Sequence, residues 1–84
     1  MKTIILTPSA AKQLDSLPAN PRAAIEQALN RHAISGHADV KKLSGRNGYR
    51  MRVGEFRVIF DEDRTIILAI YIGKRETTTY RRDR

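Results

Sequence analysis

Apolar and basic residues alternate along the stretch Tyr49-Arg50-Met51-Arg52-Val53-Gly54-Glu55-Phe56-Arg57-Val58-Ile59-Phe60. On both sides of the central Gly-Glu pair the alternation has the period of a half-buried β-strand. A two-residue turn with glycine first favours type II′, which joins the two strands of a hairpin. The pairs predicted by this turn are Val53–Phe56, Arg52–Arg57, Met51–Val58 and Arg50–Ile59.

This register gives the hairpin two different faces. The face that can pack on helices is entirely apolar: Tyr49, Met51, Val53, Phe56, Val58 and Phe60. The other face presents Arg50, Arg52 and Arg57. Like charges directly opposite each other destabilise a sheet, where an ordinary cross-strand pair contributes about 0.2–1 kcal/mol. We interpret the arginine face as a cradle for a phosphodiester, and the alternative is a solvated face on which arginine serves solubility alone.

Outside the hairpin, the sequence predicts two strands and two helices. A short strand covers residues 2–6, and Thr7 caps a helix that begins at Pro8 and ends at Pro18. A second helix begins at residues 20–21 and ends near Gly36. Residues 65–72 are apolar throughout, as in a strand covered on both faces. The predicted order is β-α-α-β-β-β, an α+β fold with the helical hairpin on one face of a mainly antiparallel, curved sheet.

The side chains of the last strand face different ways for different turn lengths, because a one-residue slip moves every side chain to the other face. A three-residue turn, which we prefer, predicts two sets. Ile66, Leu68, Ile70 and Ile72 face the helices, and Ile67, Ala69, Tyr71, Gly73 and Arg75 share the arginine face. A two-residue turn reverses this assignment.

The composition fits one compact domain, residues 1–84, with 40% hydrophobic and 30% charged residues. The chain has no cysteine, which excludes disulfides and thiolate metal sites and fits a reducing cytoplasm. Its apolar runs are too short for a membrane span or a secretory signal. We therefore expect a cytoplasmic protein without a membrane partner.

The net charge of +7 is concentrated in the second half of the chain. Residues 41–84 hold twelve basic and six acidic side chains, a surplus of +6, which leaves +1 for residues 1–40. Such a field indicates a polyanionic partner, either nucleic acid or an acidic protein.

The basic residues and one tyrosine could cleave RNA without a metal. Such cleavage needs a base at the 2′-hydroxyl, cations around the phosphate and an acid at the leaving 5′-oxygen. The candidates are Arg50, Arg52, Arg57, Arg75 and Tyr80. Tyr80 can both donate and accept a proton, and its alternative role is to anchor the tail. We expect His32 and His37 to be structural, and we expect no metal or cofactor, because Asp61, Glu62 and Asp63 have neither EF-hand spacing nor a partner histidine.

Three segments carry a family resemblance: Lys42-Leu43-Ser44-Gly45, residues 48–60, and Ile72-Gly73-Lys74-Arg75. Together with the helical hairpin they resemble the RelE/ParE superfamily of bacterial type II toxins, most closely its RelE branch, over nearly the whole chain. The resemblance implies a RelE-like microbial ribonuclease fold. It also implies a ribosome-dependent mRNA interferase that cuts message in the ribosomal A site and is silenced by a cognate antitoxin.

The same resemblance implies a role for each candidate residue. Arg50 and Arg52 match the superfamily's paired basic residues, Arg57 its phosphate-contacting arginine, Arg75 its proposed general acid and Tyr80 its C-terminal tyrosine, often assigned as the base. The paired positions are lysines in the best-described members, so the base role rests more heavily on Tyr80 here. Further RNA-binding residues are predicted at Lys41, Lys42, Arg46, Lys74, Arg81 and Arg82.

Two other functions fit the same residues. ParE-like members share the fold but inhibit DNA gyrase, and a non-catalytic RNA-binding module would keep the arginines without needing Tyr80. In either toxin reading we expect an acidic, partly disordered antitoxin that folds on binding. It would cover the apolar residues that the three-residue turn leaves opposite the helices: Ile59, Ile67, Ala69 and Tyr71.

Overall fold

The fold is that of a computed structural model, which describes residues 1–36, 39–43, 45 and 47–74. The elements are β1 (Thr3–Leu6), α1 (Pro8–Asp15), α2 (Ala19–Ser35), β2 (Val40–Lys42), β3 (Tyr49–Val53), β4 (Phe56–Glu62) and β5 (Ile66–Lys74). The strands form one sheet in the order β1-β5-β4-β3-β2. Strand β1 runs parallel to β5, and the other pairs are antiparallel.

The predicted α+β architecture is confirmed, with one additional strand. Strand β2 pairs with β3 at the edge of the sheet, so the observed order is β-α-α-β-β-β-β. It was missed because it contains only three residues, Val40-Lys41-Lys42, which are too few to show an alternation. Its position is important for the site, because it places Asp39 and Lys41 beside the arginine strand β3.

One end of each helix has the capping residue that the sequence predicts: Thr7 at the start of α1 and Gly36 at the end of α2. Thr7 Oγ1 accepts a hydrogen bond from the Ala10 amide at 3.1 Å, and Pro8 occupies the first turn. Helix α1 ends at Asp15, earlier than the predicted end at Pro18. Helix α2 begins at Ala19, just before the predicted start at residues 20–21, and ends at Ser35. Gly36 caps its C-terminus with a φ of 74°, the left-handed conformation that glycine adopts readily. Neither helix is long and apolar enough to cross a membrane.

One face of each helix packs on the sheet and forms a single core. The sheet side of this core includes the fully buried side chains of Met51, Val58, Phe60 and Ile67. The helices contribute Ala10, Leu14, Ile25, Ala28, Leu29 and Ala33. Full burial of a large aliphatic or aromatic side chain contributes about 1.5–3 kcal/mol, so these residues fix which face of each strand meets the helices.

The β3–β4 hairpin has the predicted register. Val53 pairs with Phe56, Met51 with Val58, and Tyr49 with Phe60. Gly54, the first residue of the turn, has a positive φ of 58°. Glu55, the second, does not have a positive φ, like every other non-glycine residue in the described part of the chain. A positive φ at the first turn position only is the pattern of a type II′ turn, as expected.

The β4–β5 hairpin changes register within its length. Near the turn Glu62 pairs with Ile67 and Phe60 with Ala69, as in a two-residue turn; beyond it Ile59 pairs with Tyr71 and Arg57 with Gly73. Ile70 is the extra residue between these two registers and forms a β-bulge.

The preference for a three-residue turn was therefore wrong for the first half of β5 and correct beyond the bulge. Ile67 and Ala69 are buried in the core, where the three-residue register would have turned them outward. Ile72 is also buried, and Tyr71 is exposed, as that register predicts. An entirely apolar strand contains no alternation to fix one register, so the sequence did not reveal the bulge.

Candidate phosphate-binding face

The sheet surface opposite the helices, called here the outer face, holds the three predicted arginines. Arg50, Arg52 and Arg57 alternate with Met51, Val53 and Val58, which turn toward the core. Arg52 and Arg57 are direct cross-strand partners. The alternation of the sequence therefore positions three cations on one side of a rigid hairpin.

Arg52 is already neutralised by a carboxylate. Its Nε and Nη2 atoms each donate to Asp39 Oδ2 at 2.8 Å, and its backbone amide donates to the Asp39 carbonyl at 2.9 Å. Asp39 thereby offsets the repulsion between Arg52 and Arg57. Arg52 is thus relieved without a bound anion, and the interpretation of this face as a phosphodiester cradle depends on Arg50 and Arg57. Sequence reasoning missed Asp39 because its placement depends on the undetected strand β2.

Arg57 and Arg50 have no such partner among the residues that the structure describes. The Nε atom of Arg57 is buried and makes no hydrogen bond within the described ranges. Its guanidinium carbon lies 5.9 Å from the centre of the Tyr71 ring. Two arginines on the outer face thus lack a carboxylate partner among the described residues, and the buried Nε of Arg57 also lacks an acceptor.

These two arginines border a concave recess of about 360 Å³ on the outer face. Its lining residues are Leu43, Arg50, Arg57, Ile59, Ile70 and Tyr71. The bulge at Ile70 brings Tyr71 to this side of the sheet, so the recess exists because β5 changes register. A recess lined by two cations together with aliphatic and aromatic groups suits a ligand with an anionic and a planar part.

The structure divides the predicted RNA-binding lysines between the two sides of the sheet. Lys41 pairs with Arg50 and shares the outer face. Lys42 pairs with Tyr49 and Lys74 with Phe56, so the register places both on the helix side. The Nζ atom of Lys74 lies 3.6 Å from the Glu55 carboxylate. The remaining predicted residues, Arg46, Arg75, Tyr80, Arg81 and Arg82, and also His37, lie outside the described residues.

Glu62 joins His32 and Lys2 on the helix side of the sheet. His32 Nε2 lies 2.7 Å from Glu62 Oε1, and Lys2 Nζ donates to Glu62 Oε2 at 3.0 Å. The expectation that the acidic cluster has no partner histidine was wrong, because strand β4 turns Glu62 toward helix α2. No spacing in the sequence signals a contact between residues 32 and 62.

The surroundings of Glu62 and Asp63 lower both pKa values. Burial raises the pKa of the Glu62 carboxyl, but the hydrogen bonds and positive charges of His32 and Lys2 outweigh it and leave a net lowering. The amides of Thr65 and Ile66 donate to the Asp63 carboxylate and lower its pKa. Within the described ranges, no three histidine or acidic groups lie close enough to hold a metal ion. These carboxylates therefore stabilise the fold and the turn.

A comparison of the sequence with models of known protein families identifies the family of this chain. A family model described as the ParE toxin of the type II toxin–antitoxin system, parDE, matches residues 4–78. The chain belongs to this toxin family. It is therefore a type II toxin of the RelE/ParE superfamily, as the resemblance of its three sequence segments and its helical hairpin indicated. A comparison with curated protein sequences gives no significant match.

Solved structures of RelE toxins share the fold. RelE of Pyrococcus horikoshii, solved in complex with RelB, is 22% identical with a TM-score of 0.75, over 92% of this chain and 98% of that one. The isolated Escherichia coli RelE toxin is 17% identical with a TM-score of 0.78, over 95% and 92%. The toxin–antitoxin complex RelBE2 of Mycobacterium tuberculosis is 23% identical with a TM-score of 0.75, over 88% of this chain and 98% of that one. At these identities the similarity establishes the RelE-like fold.

Proposed function

We propose that this toxin is a ribosome-dependent mRNA endonuclease that cleaves translated message without a metal. The observation that carries the proposal is the pair Arg50 and Arg57, which borders a recess on the outer face and has no carboxylate partner among the described residues. Cations aimed at a site where negative charge develops are a large source of catalysis, and guanidinium groups match phosphate oxygens bidentately.

The proposed reaction is attack of the RNA 2′-oxygen on the adjacent phosphorus. The new bond forms a 2′,3′-cyclic phosphate as the bond to the 5′-oxygen breaks. Tyr80, as the phenolate, would accept the 2′-hydroxyl proton, and Arg75 would donate a hydrogen bond to the leaving 5′-oxygen, which takes its proton from water. Arg50 and Arg57 would bind the phosphoryl oxygens as their charge increases. Arg52, held by Asp39, would contribute positive potential from the side of the site.

A second candidate is inhibition of DNA gyrase, which the match to the ParE family model favours. The two activities place different demands on the chain. The nuclease requires the arginine pair and Tyr80 in one reaction, whereas gyrase inhibition has no need of a proton acceptor at Tyr80. The unpartnered arginines beside the recess favour the nuclease.

We also propose a cognate antitoxin that covers part of the outer face. Two of the RelE structures with this fold are complexes with antitoxins. The outer face of this chain exposes 42% of Ile5, 44% of Ile70 and 38% of Tyr71. The expected set was correct for Tyr71 and Ile59, which lie on the outer face, and wrong for Ile67 and Ala69, which are buried and need no cover. An acidic antitoxin segment would match both these apolar side chains and the adjacent cations.

The test is inducible expression followed by mapping of mRNA 5′ ends, with a gyrase cleavage assay alongside. Wild-type toxin should produce cuts inside translated codons. Arg57→Ala should reduce cleavage by roughly 10²–10³-fold, the usual effect of removing one charge-stabilising donor. Tyr80→Phe and Arg75→Ala should abolish cleavage while antitoxin binding is kept.

Arg31→Ala is the matched control, because Arg31 is an exposed arginine on helix α2. It should leave cleavage unchanged. Gyrase-dependent DNA breaks, together with full toxicity of the Arg57 and Tyr80 variants, would reject the nuclease and select the gyrase candidate.

A further inference from the structure

The ring of Tyr71 occupies the space beside Gly73 where a Cβ atom would lie. A Cβ atom built on Gly73 would collide with Oη of Tyr71 and would come within 2.6 Å of its Cζ. Residues 71 and 73 are on the same side of β5, so the ring occupies the space that a side chain at position 73 would fill. The Tyr71 ring can therefore occupy this position only because residue 73 has no side chain.

The position of this ring relates it directly to Arg57. Gly73 is the cross-strand partner of Arg57, and the Arg57 guanidinium lies 5.9 Å from the ring centre. Ile59 pairs with Tyr71 and lines the same recess, as does Ile70. The arrangement is thus a partly exposed aromatic ring with an apolar border beside two cations that have no carboxylate partner in the described ranges.

We propose that Tyr71 forms a stacking platform for one base of the RNA whose phosphate binds Arg50 and Arg57, and that Gly73 is the residue that positions this platform. The inference rests on the proposed nuclease function and names a base subsite for it. Only a ribose separates a phosphate from its own base, so the sites for the two groups must be neighbours, as Arg57 and Tyr71 are, with 5.9 Å between the guanidinium carbon and the ring centre. The recess of about 360 Å³ has the size of a small ligand pocket.

The chemistry of the recess predicts weak discrimination among bases at this subsite. Apart from the arginines and the phenol hydroxyl, its lining side chains are aliphatic: Leu43, Ile59 and Ile70. Such a lining offers few hydrogen-bond partners to a base edge. Stacking on an aromatic ring tolerates any base, because every base has a π-face. Tyr71 should therefore orient the nucleotide and leave codon preference to other contacts.

The test is a cycle that removes the ring and the base separately and together. Binding of a short 2′-O-methyl RNA, which cannot be cleaved by 2′-oxygen attack, is measured at low salt. The affinity is compared with that for the same RNA in which one nucleotide is abasic, with the abasic nucleotide placed at each position of the RNA in turn. Tyr71→Leu and the critical abasic position should each weaken binding by about 5- to 100-fold, and the combination should weaken it hardly more than either alone.

Two further variants separate stacking from a structural role. Tyr71→Phe keeps the ring and should restore binding. Gly73→Ala keeps every functional group but displaces the ring, so it should weaken binding and lose the sensitivity to the abasic position. Ile5→Ala is the control, because Ile5 is exposed on the outer face but lies outside the recess lining. It should bind RNA as the wild type does.

The inference is overturned if no abasic position weakens wild-type binding, if the two losses are additive, or if the wild type binds no RNA at all. It is also overturned if Tyr71→Leu keeps full RNA affinity and instead loses antitoxin binding. The outcomes for the proposed function are distinguishable. If the losses from Tyr71→Leu and from the abasic position are not additive but the toxin cleaves no message, the base subsite is supported and the nuclease is rejected. If the toxin cleaves message but the two losses are additive, the nuclease is supported and the base subsite is rejected.

Discussion

The two hairpins that share strand β4 differ in how the sequence determines them. In β3–β4 a strict alternation and a Gly54 turn produce one register from end to end. In β4–β5 a bulge at Ile70 divides an apolar strand into two registers. The regular hairpin supplies the cations of the outer face, and the irregular one supplies Tyr71 and the recess. A strand pattern specifies a face only where its two faces differ in chemistry.

The largest expected effect comes from the half of β5 where the register was mispredicted. Ile67 is fully buried, so Ile67→Ala should lower the free energy of unfolding by about 2–5 kcal/mol. Leu68 is its neighbour on the outer face, and Leu68→Ala should cost less than about 1 kcal/mol. Urea denaturation of the two variants measures the difference. A larger loss for the Leu68 variant would mean that the three-residue register extends to the turn.

The difference between the hairpins also defines what could be predicted. The two helices, the Gly54 turn and the arginine face follow from periodicity, caps and turn chemistry, all of which are local signals. The bulge could not be predicted from the sequence, because polar and apolar residues do not alternate in residues 65–72. The Arg52–Asp39 pair and the His32–Glu62 contact join residues 13 and 30 positions apart in the chain, and only the tertiary fold brings them together.

The acidic end of β4 should show a pH-dependent contribution to stability. The pKa of Glu62 is lowered in the folded state, so its contribution is complete above the unfolded pKa and is lost as pH falls through the folded pKa. Glu62→Gln should therefore lower the free energy of unfolding by about 1 kcal/mol at pH 7 and by less at pH 3, which is below the unfolded pKa. Urea denaturation at both pH values measures the narrowing of this difference.

Asp61→Asn serves as the control for Glu62, because it removes one negative charge from the adjacent, exposed position of the same strand. Subtracting its effect isolates the contacts with His32 and Lys2. An equal difference between wild type and Glu62→Gln at the two pH values would show that these contacts do not favour the ionised carboxylate.

The smallest effect is expected in the regular hairpin, at the exposed Arg52–Asp39 pair. Both side chains are about half exposed, so solvent screens their attraction. Asp39→Ala, Arg52→Ala and the double variant should give a coupling energy of about 0.2–1 kcal/mol that decreases as salt is added. Arg52→Ala should also weaken RNA binding less than Arg57→Ala does. Equal losses for the two arginines would contradict the assignment of Arg52 to Asp39.

The proposed function requires that Arg50 and Arg57, which the β3–β4 register places on the outer face, bind one phosphate. A crystal structure of the toxin with a short 2′-O-methyl RNA tests it most directly. We predict one phosphate within hydrogen-bond distance of both guanidinium groups, a base over the Tyr71 ring, and Arg52 still bonded to Asp39. RNA bound on the helix side of the sheet, or bound without contact to Arg50 and Arg57, would contradict it.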